Sequence, residues 1–405
     1  MTSAVEPELD PFADAAHTVV GLVRDPYPDL AATRQAGAVH LETNELTGQL
    51  TAMVYAHDAV VSVLRDNDTF SSAVYVEVMG FLMGHTILEM DEPEHRLHRA
   101  LVSPAFRTKV LARWEDELVG ATVHRCLDAF AADGRGDLVR GLTFPFPVQV
   151  IARILGLPRD DYARFQRLSL ELISVTADFD RAVRASATLK TYFSGIVAAR
   201  RADPQDDLIS DLVTTEFEGL ALDDEEIYAF LRLLLPAGAE TTFRSSGNLL
   251  YGLLTHPDQL DAVRSDRALI PQAIEEALRW EPPLLGIMRV ATRDTEVGGV
   301  SIPAGTVVGV NLGAANRDET RYRDPDSFDV HRDPQQHVAF GFGPHMCLGM
   351  HLARMETRVA LDAVFDRLPG LRIDEDAWAR DDAHIHGDIF RSPTSLPVLF
   401  DAASA

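Results

Sequence analysis

Cysteine is nearly absent from this chain: Cys126 and Cys347 are the only two in 405 residues. Two are too few for a disulfide framework or a four-cysteine metal site, and the usage fits a reducing, cytoplasmic setting. Lysine is as scarce, with only Lys109 and Lys190, so nearly all of the 37 basic residues are arginine. They are outnumbered by 62 acidic residues, for a net charge of −25. That balance argues against nucleic acid or an anionic membrane surface as the main partner, since both need basic patches. No apolar run reaches the roughly 18 residues of a membrane span. The opening residues, MTSAVEPELDPFADAAHT, lack the basic stretch and apolar core of an export signal. Also missing are a GxxxxGK(S/T) phosphate loop, an HExxH zinc helix, a GxSxG nucleophile elbow and a CxxCH haem-attachment site.

What remains is an ordinary globular composition, 46% hydrophobic and 24% charged. Residues 1–26 are polar and proline-punctuated and read as an arm. Tyr27 to Gly37 reads as a short helix, Val39 to Tyr55 as a hairpin and His57 to Asp66 as another helix. Ser71 to Leu88 is apolar but aperiodic and reads as a loop suited to covering a pocket. Helical periodicity then returns over Arg107 to Ala132, Phe144 to Leu157, Asp161 to Ser174, Asp178 to Arg201 and Asp206 to Thr215. Leu222 to Leu254 is the longest helical pattern, opening on the start signal LDDEE. At 1.5 Å per residue it spans roughly 50 Å, enough to cross a domain of this size. Shorter helices follow at Pro257 to Arg267 and Pro271 to Trp280. Beyond Pro282 the chain turns to β-branched alternation. A second hairpin is expected around Ile389 to Phe400, so 282–313 and 389–400 form the β-rich part. No linker or repeat divides the chain, and one large, mainly α domain with a small β region is expected over 1–405.

Four stretches carry chemistry. In FGFGPHMCLG, Cys347 sits among Gly341, Gly343 and Gly349, whose freedom at positive φ lets backbone approach a flat partner. A helical pattern starts just after it, so the sulfur lies near a helix N-terminus that favours a thiolate. Metal ligand, nucleophile, redox centre and structural cysteine all remain open on that ground. Within the long helix, LLLPAGAETT removes a backbone donor at Pro236 and side-chain bulk at Gly238, which predicts a kink and a gap. Glu240 and Thr241 follow at once, and the Thr241 hydroxyl can bond the Ala237 carbonyl one turn back or donate to a ligand. Glu276 and Arg279 share a helix face at i and i+3. His95 and Arg99, one turn apart, join Arg289 and His345 as four donors for carboxylates and suggest a ligand with two acidic groups.

Together and in this order, these stretches resemble the cytochrome P-450 family of haem-thiolate monooxygenases. FGFGPHMCLG is similar to the family's cysteine loop, AGAET to its oxygen-binding helix motif, EALR to its ExxR, HRLHR to its HxxxR and FDVHR to its meander. The likeness covers the chain from His57 onward and is closest to the soluble bacterial members. It implies the P-450 fold, haem b (iron protoporphyrin IX) with Cys347 as the iron's thiolate ligand, and O2 as co-substrate; a thiolate there favours O–O cleavage. The backbone around Gly349 would temper the sulfur's charge and Phe340 would pack beside it. His95, Arg99, Arg289 and His345 would hold the haem propionates. Glu276, Arg279 and Arg332 would be the triad bracing the meander. Gly238, Glu240 and Thr241 would bind and protonate dioxygen, with Pro236 a local departure from the pattern.

The resemblance also implies a pocket for a hydrophobic small molecule of modest size. It would draw on Ser71 to Leu88, the loop near Thr176, Leu233, Leu234, Ala237, the stretch Leu284 to Ile287 with Leu285 and Ile287 foremost, Ile389 and Phe390. Electrons would come from a ferredoxin and its ferredoxin reductase, docking on a basic set of Arg96, Arg107, Lys109, Arg113 and Arg354. The alternatives are a haem-based carrier or sensor without turnover, a peroxide-driven oxygenase and a cysteine-nucleophile hydrolase. Glu240 with Thr241 speaks against the first two, and the four carboxylate donors against the last.

Overall fold

The computed structural model describes residues 23–43, 48–173, 178–380 and 383–402. The chain adopts the expected class, mainly helical with small sheets. The helices that position the site are α1 (Glu94–Val102), α2 (Pro145–Ile154), α3 (Phe179–Ala202), α4 (Asp224–Leu235), α5 (Thr241–Thr255), α6 (Ile270–Trp280) and α7 (Met350–Arg367). Helix α4 starts where LDDEE predicts. The Asp223 carboxylate accepts from the Glu226 N–H at 2.8 Å, and the Glu226 carboxylate accepts from the Asp223 N–H at 2.8 Å, a reciprocal cap. Pro236 does not end the helix. Its φ of −68° is helical, and the missing donor is absorbed by one wide π turn, Pro236–Glu240, that joins α4 to α5.

A five-stranded sheet runs in the order Val39–Thr43, Leu50–Val54, Val307–Asn311, Gly286–Ala291, Phe70–Ser71. The expected first hairpin pairs Val39 with Val54, and Val307–Asn311 adds to it in parallel. Next to this sheet, Val297 pairs with Val300 across Gly298 and Gly299, both at positive φ (57° and 80°), the conformation a two-residue hairpin turn requires. One apolar core gathers α2 to α7, with Leu231, Leu235, Leu253 and Val364 all at 0% exposure. A smaller core fills the space between the sheet and helix His57–Arg65.

Three expectations differ from what forms. The second hairpin is absent: Pro397–Leu399 is instead the middle strand of a three-stranded sheet between Arg135–Asp137 and Arg372–Ile373. Ile389 and Phe390 pair with Leu284 and Leu285, the Leu285 N–H donating to the Ile389 carbonyl at 2.8 Å. Local alternation cannot tell a hairpin from pairing at a distance. Ser71 to Leu88 holds a π turn (Val76–Gly80) and a short helix (Phe81–Met83), because Leu82 and Met83 are buried against the core and Ser186 of α3 donates to the Leu82 carbonyl. The pattern over Arg107 to Ala132 is interrupted by a π turn at Glu115–Gly120.

Candidate functional site

The cysteine loop is folded by its own backbone. The Cys347 N–H donates to the Phe340 carbonyl at 2.8 Å and the Met346 N–H to the Gly343 carbonyl at 3.1 Å. Gly343 has φ of 75°, and a Cβ there would stand 2.3 Å from the Leu64 carbonyl. Only glycine lets the loop press onto helix His57–Arg65 this closely. Gly349 caps α7, so Cys347 lies three residues before the first helical residue.

Cys347 is surrounded by dense protein yet keeps an open surface, the combination expected at the floor of a cleft. Burial pushes its thiol up, against the downward pull of the Gly349 N–H, Arg99 and Arg354. The expected helix-terminus activation is therefore outweighed by desolvation. A catalytic nucleophile needs the reverse balance. A metal ligand does not, because a bound cation deprotonates the thiol outright.

The four predicted carboxylate donors come together beside this loop. The His95 and His345 rings stack with centroids 3.9 Å apart, and the Nε2 atom of each is buried without a partner. His95 Nδ1 faces Glu92 Oε1 at 3.3 Å. Arg99 donates to the Met346 carbonyl inside the cysteine loop. Arg289, at 4% exposure, donates to the Met288 carbonyl at 2.7 Å, and among the described residues it meets no carboxylate within ion-pair distance. Burial together with His95, Arg289 and Arg99 drives His345 down to about 3. Orphaned ring nitrogens and two guanidiniums that meet no carboxylate among the described residues, beside an accessible sulfur, fit a flat ligand carrying two carboxylates and a thiolate-binding metal. Haem has that chemistry, and these residues fit it.

An acid sensitivity follows. His345 has a folded-state pKa below its unfolded value of about 6.5, so the unfolded chain takes up the proton first as pH falls. Stability from the neutral ring is present above about pH 6.5 and is lost as pH falls from there toward 3. Denaturant unfolding of the haem-free protein should lose stability across that window, and His345→Asn should flatten the slope. An unchanged slope would show that the ring does not carry the effect.

At the start of α5, the Thr241 hydroxyl donates to the Ala237 carbonyl at 2.7 Å, the first of its two predicted uses. Ala237 is exposed while Glu240 is buried. Gly238 departs from expectation. A Cβ on it would sit 2.8 Å from Ile151 Cδ1, so its lack of bulk admits α2 rather than opening a gap. Glu240 is gripped by Arg244 one turn on, a pairing the spacing in ETTFR makes legible although the expected site did not include it. Of the expected pocket residues, Leu233, Ala237, Ile287, Ile389 and Phe390 keep open surface. Leu234 is buried in the core, and Leu285 is buried with its side chain over Gly313. Thr176 lies outside the described residues.

Glu276 and Arg279 form a buried pair that half-buried Arg332 joins. Glu276 accepts from Arg279 at 2.7 Å through both oxygens, from Arg332 Nε at 3.1 Å and from the Asp329 N–H at 2.9 Å. The expected basic face is less free than its composition suggests. Arg96 pairs with Glu218, Arg113 with Asp206, and Arg354 with Glu275, whose carboxyl is held down at about 2 by Arg354 and His337 against burial. Arg107 and Lys109 are exposed and, among the described residues, have no ion-pair partner.

Fold and site together define a helical protein with one accessible cysteine set beside a cluster of carboxylate donors. A family-wide sequence description, Cytochrome P450, matches residues 148–369. The cytochrome P450 monooxygenase PikC of Streptomyces venezuelae is 37% identical over 360 residues, 86% of this chain and 85% of its own. The erythromycin C-12 hydroxylase of Saccharopolyspora erythraea is 40% identical over 333 residues, 80% of this chain and 83% of its own. The solved structure of cytochrome P450 CYP109Q5 from Chondromyces apiculatus superposes with a TM-score of 0.85 at 34% identity, over 94% of this chain and 97% of that one. The chain belongs to the cytochrome P450 family and has its fold. Membership implies use of haem and dioxygen. Among the described residues no helix is long and apolar enough to cross a membrane.

Proposed function

We propose that this protein is a haem b monooxygenase that inserts one oxygen atom from O2 into a hydrophobic small molecule. The convergence of His95, Arg99, Arg289 and His345 beside Cys347, with both ring Nε2 atoms unpartnered and both guanidiniums without a carboxylate among the described residues, carries the reading. In it Cys347 ligates the iron, with the Gly349 N–H on its sulfur and Phe340 alongside, and the four donors hold the two propionates. Haem supplies the redox chemistry that activates dioxygen. The Thr241 hydroxyl passes protons toward the oxygen side, Glu240 stores and relays them, and Gly238 keeps α2 close against the same turn. Leu233, Ala237, Ile287 and Phe390 face the substrate, with Leu234 and Leu285 shaping the wall from behind. Among relatives, names such as erythromycin C-12 hydroxylase and steroid C26-monooxygenase support a small organic molecule as substrate. Scarce cysteine supports a reducing, cytoplasmic setting.

A substrate panel of steroids, terpenes, fatty acids and aromatics is screened for a spin-state change, and the best compound is turned over under isotope-labelled dioxygen. Label in the product is the expected result. Product formed only from added peroxide, or none with haem fully reduced, would favour the peroxygenase or carrier readings instead.

Electrons come from a ferredoxin and its reductase, and Arg107 with Lys109 supplies the free positive charge for docking. A groove of about 310 Å³ beside them, lined by Thr108, Leu111, Glu115, His351, Arg354 and Arg358, supports this placement. Reversing both charges, Arg107→Glu with Lys109→Glu, should slow reduction by an acidic ferredoxin and lessen its salt dependence. Reduction kinetics equal to wild type would remove this surface as the docking site.

A further inference from the structure

Glu240 is not a free acid in this structure. Arg244 donates to its Oε1 from one helical turn on, with the two side chains at 4% and 7% exposure. The same guanidinium donates through its other terminal nitrogen to Ser392 Oγ at 2.9 Å. Its carbon stands 5.1 Å from the Phe243 ring centre and 5.4 Å from that of Phe390. Its Nε is buried with no acceptor. A guanidinium can grip one carboxylate through two parallel N–H bonds. Here the fork is shared between an acid and a hydroxyl on a segment 148 residues away in sequence, and one buried donor is left over.

That distant segment lies along α5. Asn248 donates to the Arg391 carbonyl at 3.1 Å, and Pro393 packs over Gly247. It ends in Ile389, 57% exposed, and Phe390, half-buried. Its apolar tip is therefore open while its base is tied to Arg244.

We propose that Arg244 is a positioning residue that ties the Glu240 carboxyl to the loop bearing Phe390 and Ser392, so that substrate pressing on this loop sets where the acid points. This rests on the reading of Glu240 as the proton relay. With Oε1 held by Arg244, Oε2 is the atom that takes a proton from water and hands it to the Thr241 hydroxyl, which passes its own proton on. A substrate that shifts Phe390 moves the guanidinium stacked on it and turns Oε2 toward or away from Thr241. Proton delivery is thereby made to depend on an occupied pocket.

The test uses the haem-loaded protein with the panel compound giving the largest spin-state change. Arg244→Ala should divert electrons from product to hydrogen peroxide, lowering product per electron pair about tenfold, below the roughly hundredfold a positioned proton donor contributes in full. Its solvent isotope effect should rise as proton delivery becomes limiting. Ser392→Ala should reproduce part of both effects, and Arg244→Lys should restore part of the coupling. Hydrogen exchange over 386–393, measured with and without haem, should quicken in Arg244→Ala and Ser392→Ala. If Glu240→Gln couples normally, the relay reading itself falls. If Glu240→Gln uncouples while Arg244→Ala, Arg244→Lys and Ser392→Ala all couple as wild type, this proposal falls alone. Should Arg244→Ala not fold, the Lys and Ser392 variants decide.

Discussion

Replacing Cys347 by serine should abolish the long-wavelength carbon monoxide band of the reduced protein and end oxygenation. A serine hydroxyl keeps the shape of the loop but does not ionise at neutral pH, so it cannot replace a thiolate as a donor to iron. The loop around the sulfur is held by the Cys347 to Phe340 and Met346 to Gly343 backbone bonds, which the substitution leaves alone. Loss of signal would then report on the ligand and not on folding. Losing an outer-shell partner of a metal costs about 10–100-fold in affinity or activity, and losing the ligand itself should exceed that. Cys126→Ser is the control. Cys126 is packed in the core at 8% exposure, where burial pushes its thiol up to about 11, and its replacement should leave the spectrum untouched. A Cys347→Ser protein with an unaltered haem spectrum would overturn the assignment.

Much of this site was legible because its parts are local in sequence. The cysteine loop spans ten residues, the Asp223 and Glu226 cap four, and the Glu276 and Arg279 pair one helical turn, so each can be read from spacing alone. Tertiary partners are another matter. Arg113 looks free until Asp206, 93 residues on, neutralises it, and the Gly238 gap closes once Ile151 arrives from α2. The strand at Pro397–Leu399 chose Arg135–Asp137 and Arg372–Ile373 over its own neighbours. Nothing in an alternating pattern encodes that choice, because the partner's exposed edge decides it. The Cys347 thiol shows the same limit: the helix terminus was visible, while the burial that outweighs it belongs to the assembled fold.

The largest loss of stability should come from Glu276→Ala. This carboxylate, at 4% exposure, is shared by two guanidiniums that themselves reach outward to the irregular chain. Arg279 donates on to the Pro325 carbonyl at 2.7 Å and the Ser327 carbonyl at 2.9 Å, and Arg332 to the Asp324 carbonyl at 3.0 Å. The irregular chain before the cysteine loop thus has little regular structure of its own and hangs on these donors. Breaking a buried ion pair by removing one partner costs about 3–5 kcal/mol, because it strands the remaining charge. Here two charges are stranded. Glu276→Gln should lose nearly as much, since one of its oxygens becomes an NH2 group facing guanidinium donors. As the strap slackens, residues 337–347 lose their anchor and haem should dissociate faster, before global unfolding. The exposed pair Arg96 and Glu218 gives the contrast, because both side chains are 53% exposed and water already solvates each charge. Glu218→Ala should leave denaturation and haem retention unchanged. Equal losses in Glu276→Ala and Glu218→Ala would show that the cluster braces nothing, and haem retained by a destabilised Glu276→Ala would separate the strap from the site.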